Sequence, residues 1–245
     1  MRFLFLLIFA ISSFNSFAQT QAAESTKKDS LLIVKKNPQQ GFHHDYILFI
    51  PKGTPLKKNI FLLVEPNNTG KVSDSMQIHE QYAISLASES SVGNNVSTQL
   101  KIPFLVPIFP RPASYPLMYT HALDRDVMLT RIRSLKRLDL QLLQMIDDAR
   151  NVLSGMGIIT DSKIFMSGFS ASATFTNRFS FLHPDKIKAL AIGGFNGELM
   201  LPQKDINGAK LIYPIGTNDF KKLFSDTFHL DAYRQIPQYI YMGTG

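Results

Sequence analysis

Short apolar segments alternate with segments of helical periodicity along most of the chain, and this alternation limits the possible folds more than any other feature. Residues 60–64 form a continuous apolar run, which is typical of a strand covered on both faces. Residues 135–153 instead repeat their apolar side chains at the spacing of one helical face. Further strands are predicted at 31–34, 44–50, 104–108, 163–167, 187–192, 211–215 and 239–242, and further helices at 74–87 and 171–181. Strands and helices in alternation imply βαβ crossovers, so the sequence predicts an α/β fold with a mainly parallel sheet flanked by helices.

The N-terminus has the composition of a targeting segment. Arg2 supplies a positive charge, residues 3–11 are unbroken apolar, and the small residues Ser16 and Ala18 occupy the −3 and −1 positions of a cleavage site. Residues 1–18 are therefore predicted to be a secretory signal peptide that is cleaved after Ala18, which leaves a periplasmic or extracellular protein. Because the apolar run is short for a bilayer span, no stable membrane anchor is expected.

Composition excludes several classes of protein. The chain has no Cys, which removes disulfides, thiolate metal sites and cysteine nucleophiles. Lys and Arg number 26 against 19 Asp and Glu, but these basic residues are dispersed, so no nucleic-acid partner is predicted. Neither a phosphate-binding glycine loop nor a metal-ligand spacing occurs, so no cofactor and no metal are expected. A chain of 245 residues is short for two domains, and residues 19–245 are predicted to form one.

The most informative local pattern is a strand, a turn and a helix around Ser170. The apolar strand at 163–167 leads into Gly-Phe-Ser-Ala-Ser at 168–172, and a helix follows. A nucleophilic serine on a sharp strand-to-helix turn needs small residues two positions before and after it, and Gly168 and Ser172 hold those positions. The helix N-terminus would also favour a developing oxyanion. The alternative is that this serine only caps the helix.

With this motif the chain resembles the α/β-hydrolase superfamily, and more narrowly the secreted esterases near polyhydroxybutyrate depolymerases and feruloyl esterases. The serine turn, the strand at 60–64 with its following loop, and the segment 190–194 carry the resemblance, which extends from about residue 40 to the end. It implies that Ser170 attacks the carbonyl of a small-molecule or polymeric ester and forms an acyl-enzyme, which water then resolves.

The same resemblance implies an oxyanion hole built from two backbone N–H groups. One belongs to Ala171, the residue after the proposed nucleophile. The other belongs to the loop after the strand at 60–64, where Pro66 has no N–H and Asn67 or Asn68 is the candidate donor. A plain turn is the alternative for this loop.

A second group of polar residues lies in the long loop after the strand at 104–108. Loops at the carboxyl ends of strands border the ligand site of open α/β sheets, so His121 or Arg125 could contact substrate. Asp124, Arg125 and Asp126 could equally order the loop through a local ion pair.

The acid and the base of a catalytic triad are not evident. In the superfamily they follow the serine, acid first and histidine last. His183 is excluded as the base because it lies at the far end of the following helix, roughly 20 Å from Ser170. Asp219, placed after a predicted strand, and His229 could form a compact triad with Ser170. Alternatively, residues 239–242 are the strand that precedes the acid, and the chain is a C-terminally truncated hydrolase without its last strand and helix.

Two functions therefore stay open. One is an exported serine hydrolase acting on carboxylic esters, with low activity if the chain is a fragment. The other is a non-catalytic protein of α/β-hydrolase fold that binds a glycan or a surface partner. The sequence carries no signal for an oligomeric state.

Overall fold

The computed structural model describes residues 24–68, 70–89 and 91–243. The predicted signal peptide lies outside these residues. The strands are β1 (Ser30–Val34), β2 (Tyr46–Ile50), β3 (Asn59–Val64), β4 (Phe104–Pro107), β5 (Ile159–Phe169), β6 (Ile187–Gly193), β7 (Asp205–Ile206), β8 (Ala209–Lys210) and β9 (Gln238–Tyr241). The α-helices are α1 (Met76–Ser88), α2 (Val92–Leu100), α3 (Arg125–Leu129), α4 (Leu138–Gly155), α5 (Ala171–Leu182), α6 (Phe220–Phe224) and α7 (Leu230–Arg234).

Seven of these strands form one sheet in the order β1-β2-β4-β3-β5-β6-β9. The pairs β1/β2 and β2/β4 are antiparallel, whereas β4/β3, β3/β5, β5/β6 and β6/β9 are parallel. The short strands β7 and β8 pair separately. The prediction of a mainly parallel sheet flanked by helices is confirmed. The predicted absence of a last strand and helix stays a prediction.

The two faces of the sheet carry cores of different size. Strand β2 shows the alternation, because Tyr46 and Leu48 point into different cores from Ile47 and Phe49, and the whole strand is buried. The larger core includes side chains of α4 and α5, among them Leu142 and Phe179. The smaller core is closed by α1 through Ala83 and Ala87.

Residues 211–215 are not a strand, which corrects the prediction for that segment. Pro214 has no N–H for a ladder. The side chain of the fully buried Tyr213 donates to the carbonyl of Leu123, and the backbone N–H of Tyr213 donates to Asp219 Oδ1 at 2.8 Å. Side-chain contacts therefore replace strand pairing here, and the predicted strand before Asp219 does not exist.

Helix α2 is absent from the sequence-based prediction. It begins after Ser91, whose hydroxyl accepts a hydrogen bond from the N–H of Asn94 at 3.0 Å. Its polar, glycine-containing sequence gives a weak helical pattern. Within the described residues, no helix is long and apolar enough to cross a membrane.

Candidate active site

Ser170 lies between the end of β5 and the start of α5, with φ 60° and ψ −121°. A positive φ is uncommon for a residue with a side chain and stores backbone strain. Three backbone hydrogen bonds hold this conformation. The N–H of Ser170 donates to Gly193 at 3.1 Å, and the Ser170 carbonyl accepts from Ala173 at 3.1 Å and Thr174 at 3.2 Å. The neighbouring strand β6 and the first turn of α5 thus clamp the serine between them.

The two small residues around Ser170 are required for different structural reasons. A Cβ at Gly168 would lie 2.4 Å from the carbonyl oxygen of Ser172, so the close approach of β5 and α5 requires glycine there. At the second position a serine is accommodated because its hydroxyl bonds locally. It accepts from the N–H of Phe169 at 2.8 Å and donates to the Phe169 carbonyl at 2.9 Å. Ser172 thereby stabilises the turn that presents Ser170.

The hydroxyl of Ser170 does not cap the helix that it precedes. It makes no hydrogen bond with any residue of 24–68, 70–89 or 91–243, and the residue is partly exposed. The structure therefore gives this side chain no role in ending or starting the helix. A strained, uncapped and accessible serine on a strand-to-helix turn has the geometry of a nucleophile elbow.

Backbone donors surround the turn. Ala171 is the first residue of α5, so its N–H has no acceptor inside the helix. The side-chain amide of Asn68 donates to the Phe169 carbonyl at 3.0 Å, which ties the loop after β3 to the serine turn. Asn67 is buried, and its side chain pairs with both the N–H and the carbonyl of Phe109, at 3.0 and 2.9 Å. The side chains of Asn67 and Asn68 are thus used for positioning, and among the described residues no acceptor takes their backbone N–H groups.

His121 lies in a short 3-10 turn and is only 1% exposed. Its Nε2 lies 2.9 Å from the Phe109 carbonyl and 3.4 Å from the side-chain amide of Asn67. Burial lowers its pKa to about 4, although the Phe109 carbonyl favours the protonated ring. The ring is therefore neutral at pH 7 and packs beneath the loop after β3, where it supports Asn67.

The predicted ion pair within residues 124–126 does not form. Asp124 instead caps α3 by accepting from the N–H of Val127 at 2.9 Å. Arg125 reaches across to Asp219, with the two side chains 2.7 Å apart, and also donates to the Tyr213 carbonyl at 2.9 Å. These contacts tie α3 to the turn that replaces the predicted strand.

The structure does not bring the members of the compact triad together. The carboxylate of Asp219 contacts Arg125 and the N–H of Tyr213. His229 lies at the start of α7, and its Nε2 is 3.2 Å from Asp226. No hydrogen bond joins Asp219, His229 and the Ser170 hydroxyl within the part of the chain that the structure describes. His183, at the end of α5, pairs with Asp139 at 2.9 Å.

Sequence reasoning missed a row of side chains next to the serine turn. Thr174 donates to Asn196 Oδ1 at 2.9 Å, and the Asn196 amide donates to the Tyr119 hydroxyl at 2.8 Å. The guanidinium of Arg111 lies over the Tyr119 ring, 4.2 Å from its centroid. The sequence signal for this row was its position, since Arg111 and Asn196 each follow the carboxyl end of a parallel strand.

Comparison with known proteins places this geometry in context. Neither a protein-family model nor a curated protein sequence matches the chain. Among solved structures, poly(aspartic acid) hydrolase-1 from Sphingomonas sp. KT-1 superposes with a TM-score of 0.58 at 18% identity, over 90% of this chain and 73% of that one. An alpha/beta hydrolase, MGS-M1, from a Medee basin deep-sea metagenome library matches 89% of this chain and 83% of its own, with a TM-score of 0.45 and 10% identity.

The chain has the α/β-hydrolase fold. The mainly parallel sheet with flanking helices and the likeness to poly(aspartic acid) hydrolase-1 agree with the predicted resemblance, which is confirmed for the fold. An S-formylglutathione hydrolase from Staphylococcus aureus is also similar, with a TM-score of 0.48 at 10% identity over 91% of this chain and 92% of that one. Because an α/β-hydrolase fold hosts many chemistries, activity has to be argued from the site itself.

Proposed function

We propose that this chain is an exported serine esterase in which Ser170 is the nucleophile. The observation that carries the proposal is the conformation of Ser170. Its backbone is strained, its hydroxyl does not cap α5, and it lies next to Ala171, whose N–H has no acceptor inside the helix. Its substrates are carboxylic esters, either small molecules or polymers. No feature of the described residues specifically favours the alternative of a non-catalytic binding protein.

In the proposed reaction, Ser170 Oγ attacks the ester carbonyl and its proton passes to a general base. The carbonyl oxygen becomes an oxyanion, which accepts hydrogen bonds from the N–H of Ala171 and from Asn67 or Asn68. The tetrahedral intermediate collapses, the C–O bond to the alcohol breaks, and the alcohol leaves with a proton. Water then attacks the acyl group on Ser170 and releases the acid.

The described residues place no base in hydrogen-bond contact with the Ser170 hydroxyl, so turnover of unactivated esters by this chain is expected to be slow. An activated reagent is therefore the appropriate first test. We expect a fluorophosphonate probe to label the protein and mass spectrometry to locate the label on Ser170.

The matched controls lie on the same strand and turn. Ser170→Ala should abolish labelling, whereas Ser162→Ala, at an exposed position near the start of β5, should leave it unchanged. An unlabelled protein with an intact circular dichroism spectrum would contradict the esterase proposal and favour the binding protein.

The compact triad can be tested separately. Because His229 contacts Asp226 and not Asp219, we expect the His229→Ala variant to be labelled by the probe and to hydrolyse activated esters at the wild-type rate. Loss of activity in this variant would instead support the triad of Ser170, Asp219 and His229.

Export is part of the same proposal. We expect the mature protein recovered from a secreting host to begin at Gln19, as N-terminal sequencing would show. A protein that keeps Met1 and stays inside the cell would contradict export without affecting the proposed chemistry.

A further inference from the structure

Arg111 lies just beyond the carboxyl end of β4, and both ends of this residue are held in place. Its carbonyl accepts the N–H of Ser73 at 2.9 Å. Its guanidinium stacks on the ring of Tyr119 at 4.2 Å from the centroid. A planar guanidinium that lies on an aromatic ring has its orientation fixed while the N–H groups at its edge remain available for a ligand.

No Asp or Glu side chain pairs with Arg111. All 19 Asp and Glu side chains fall within the described residues, and none lies within 4.0 Å of its guanidinium. Its hydrogen bond in the structure is a long one, 3.5 Å, to the carbonyl of Gly70. Among residues 24–68, 70–89 and 91–243, most of the five donors of this partly buried cation therefore have no acceptor.

The other arginines that are not exposed all have close acceptors. Arg125, Arg137 and Arg150 each lie within 2.8 Å of a carboxylate. Arg178 donates to the Ala122 carbonyl at 2.7 Å. Arg111 is thus distinguished among the arginines of the described residues, because it is ordered and partly buried yet has no strong acceptor.

Arg111 is also connected to the serine turn. The Tyr119 hydroxyl accepts from Asn196 at 2.8 Å, Asn196 accepts from the Thr174 hydroxyl at 2.9 Å, and the Thr174 N–H donates to the Ser170 carbonyl at 3.2 Å. On its other side, the contact with Gly70 places Arg111 against the loop that contains Asn67 and Asn68. The cation therefore lies beside the proposed oxyanion loop, and the contacts through Tyr119, Asn196 and Thr174 connect it with the serine turn.

We propose that Arg111 binds a carboxylate carried by the substrate, so that the preferred substrates are esters with a free carboxyl group. A guanidinium recognises a carboxylate through two parallel hydrogen bonds, which matches the unused donors of Arg111. Tyr119 holds the guanidinium in place, and Asn196 holds Tyr119. This inference rests on the proposed esterase function, since it names the substrate class of the same site.

Paired substrates test the inference. 4-Nitrophenyl hydrogen succinate and 4-nitrophenyl butyrate have acyl chains of equal length but differ in one carboxylate. We expect Arg111→Gln to lower kcat/KM about tenfold for the succinate ester and to leave the butyrate ester unchanged. Arg131→Gln, which removes an exposed cation, should change neither value. Added salt should weaken the preference of the wild type for the anionic ester.

An equal loss for both esters would show that Arg111 only supports the fold, and no change for either ester would show that it does not contact substrate. Both results would overturn the inference. Arg111→Lys is a further check, because it keeps the charge and should restore part of the preference through a single hydrogen bond.

A binding measurement separates this inference from the esterase proposal. Ser170→Ala protein cannot form an acyl-enzyme, so calorimetry can compare its affinity for the two esters. We expect tighter binding of the succinate ester, lost when Arg111→Gln is added. If wild-type protein hydrolyses neither ester while this preference persists, the function fails and the anion site stands. Hydrolysis without the preference would overturn the anion site alone.

Discussion

Each face of the sheet buries one carboxyl group, and the two carboxyl groups differ in the partners that donate hydrogen bonds to them. Asp139, in the first turn of α4, is fully buried and accepts hydrogen bonds from Arg137 at 2.7 and 2.9 Å and contacts His183 at 2.9 Å. Glu65, just after β3, is 4% exposed and accepts one hydrogen bond, from the Ser167 hydroxyl at 2.8 Å. The first group has the charged guanidinium of Arg137 as a partner, whereas the second has only a neutral hydroxyl.

The pKa values of these groups diverge accordingly. Burial raises the pKa of both, but the donors on Arg137 and His183 outweigh burial and hold the pKa of Asp139 at about 2. The Ser167 hydroxyl does not outweigh burial, and the pKa of Glu65 rises to about 7. Burial disfavours the ionised form of both carboxyl groups, and the hydrogen-bond partner determines whether the group stays ionised in the folded protein.

Apolar side chains are also packed more completely on the face of α5 than on the face of α2. On the face of α5, Phe175 and Phe179 are fully buried and stack on one another. On the other face, Val92 and Leu100 of α2 are more than half exposed beside the sheet residue Phe165. The serine turn is thus anchored on the well-packed face, and the face of α2 is the more tolerant one.

The largest expected effect comes from Phe179→Ala. The ring packs between Phe175 and His183, and its removal leaves a cavity in the larger core. We expect a loss of about 3–5 kcal/mol in the free energy of unfolding, measured by urea denaturation. Val96→Ala on the face of α2 is the matched control, with a loss of about 1 kcal/mol. Similar losses at the two sites would remove the contrast between the faces.

Asp139→Asn should lower the free energy of unfolding by about 3 kcal/mol, because it removes the carboxylate that Arg137 and His183 contact. The pH dependence has a definite sign. The folded pKa of Asp139, about 2, is below the unfolded value near 4. Its contribution is therefore complete above the unfolded pKa and is lost as the pH falls from about 4 to about 2. Acid titration of wild type and variant measures this, and parallel curves would disprove it.

Glu65→Gln should act in the opposite sense. The folded pKa of about 7 exceeds the unfolded value near 4.3, so the wild type loses stability as the pH rises from about 4.3 to about 7. We expect the variant to be more stable at pH 8 by about 1–2 kcal/mol, and to show no gain at pH 4. Ser167→Ala removes the one donor and should lower stability at pH 8. A variant less stable than wild type at pH 8 would indicate that Glu65 keeps its charge through another contact.

Leu100→Lys is expected to have the smallest effect. The side chain is 55% exposed at the end of α2, and a change there should alter the free energy of unfolding by less than about 0.5 kcal/mol. The variant should also bind less of a hydrophobic dye such as ANS, because it interrupts the apolar surface. A loss comparable to that of Phe179→Ala would mean that this face is packed as tightly as the other.

Much of the fold follows from local patterns. The apolar runs predict most strands of the large sheet, and the periodicity of residues 135–153 predicts α4 nearly to its ends. The failures have local causes too. Residues 211–215 have a strand-like composition, but Pro214 and the buried Tyr213 make them a turn. Helix α2 depends on the cap of Ser91 and on packing against β3 and β4, which a polar sequence does not reveal.

The candidate site divides in the same way. The turn at Ser170 could be predicted, because the small residues that it requires, Gly168 and Ser172, lie within two positions on either side. The partners of the polar side chains could not. Glu65 meets Ser167 across 102 positions of sequence, and Asp139 meets His183 across 44. That Arg111 has no carboxylate partner among the Asp and Glu side chains can likewise be seen only from the positions of those side chains in the folded chain.

The sequence by itself determined the period of most elements and the small residues of the serine turn, because both are patterns of neighbours along the chain. The tertiary structure decided which side chains meet. In the order β4-β3-β5-β6, strands distant in sequence lie side by side, and their carboxyl ends bring together the loops that carry Arg111, Asn67, Ser170 and Asn196. Charge partners and the candidate site are products of that strand order, and so they emerge only from the folded chain.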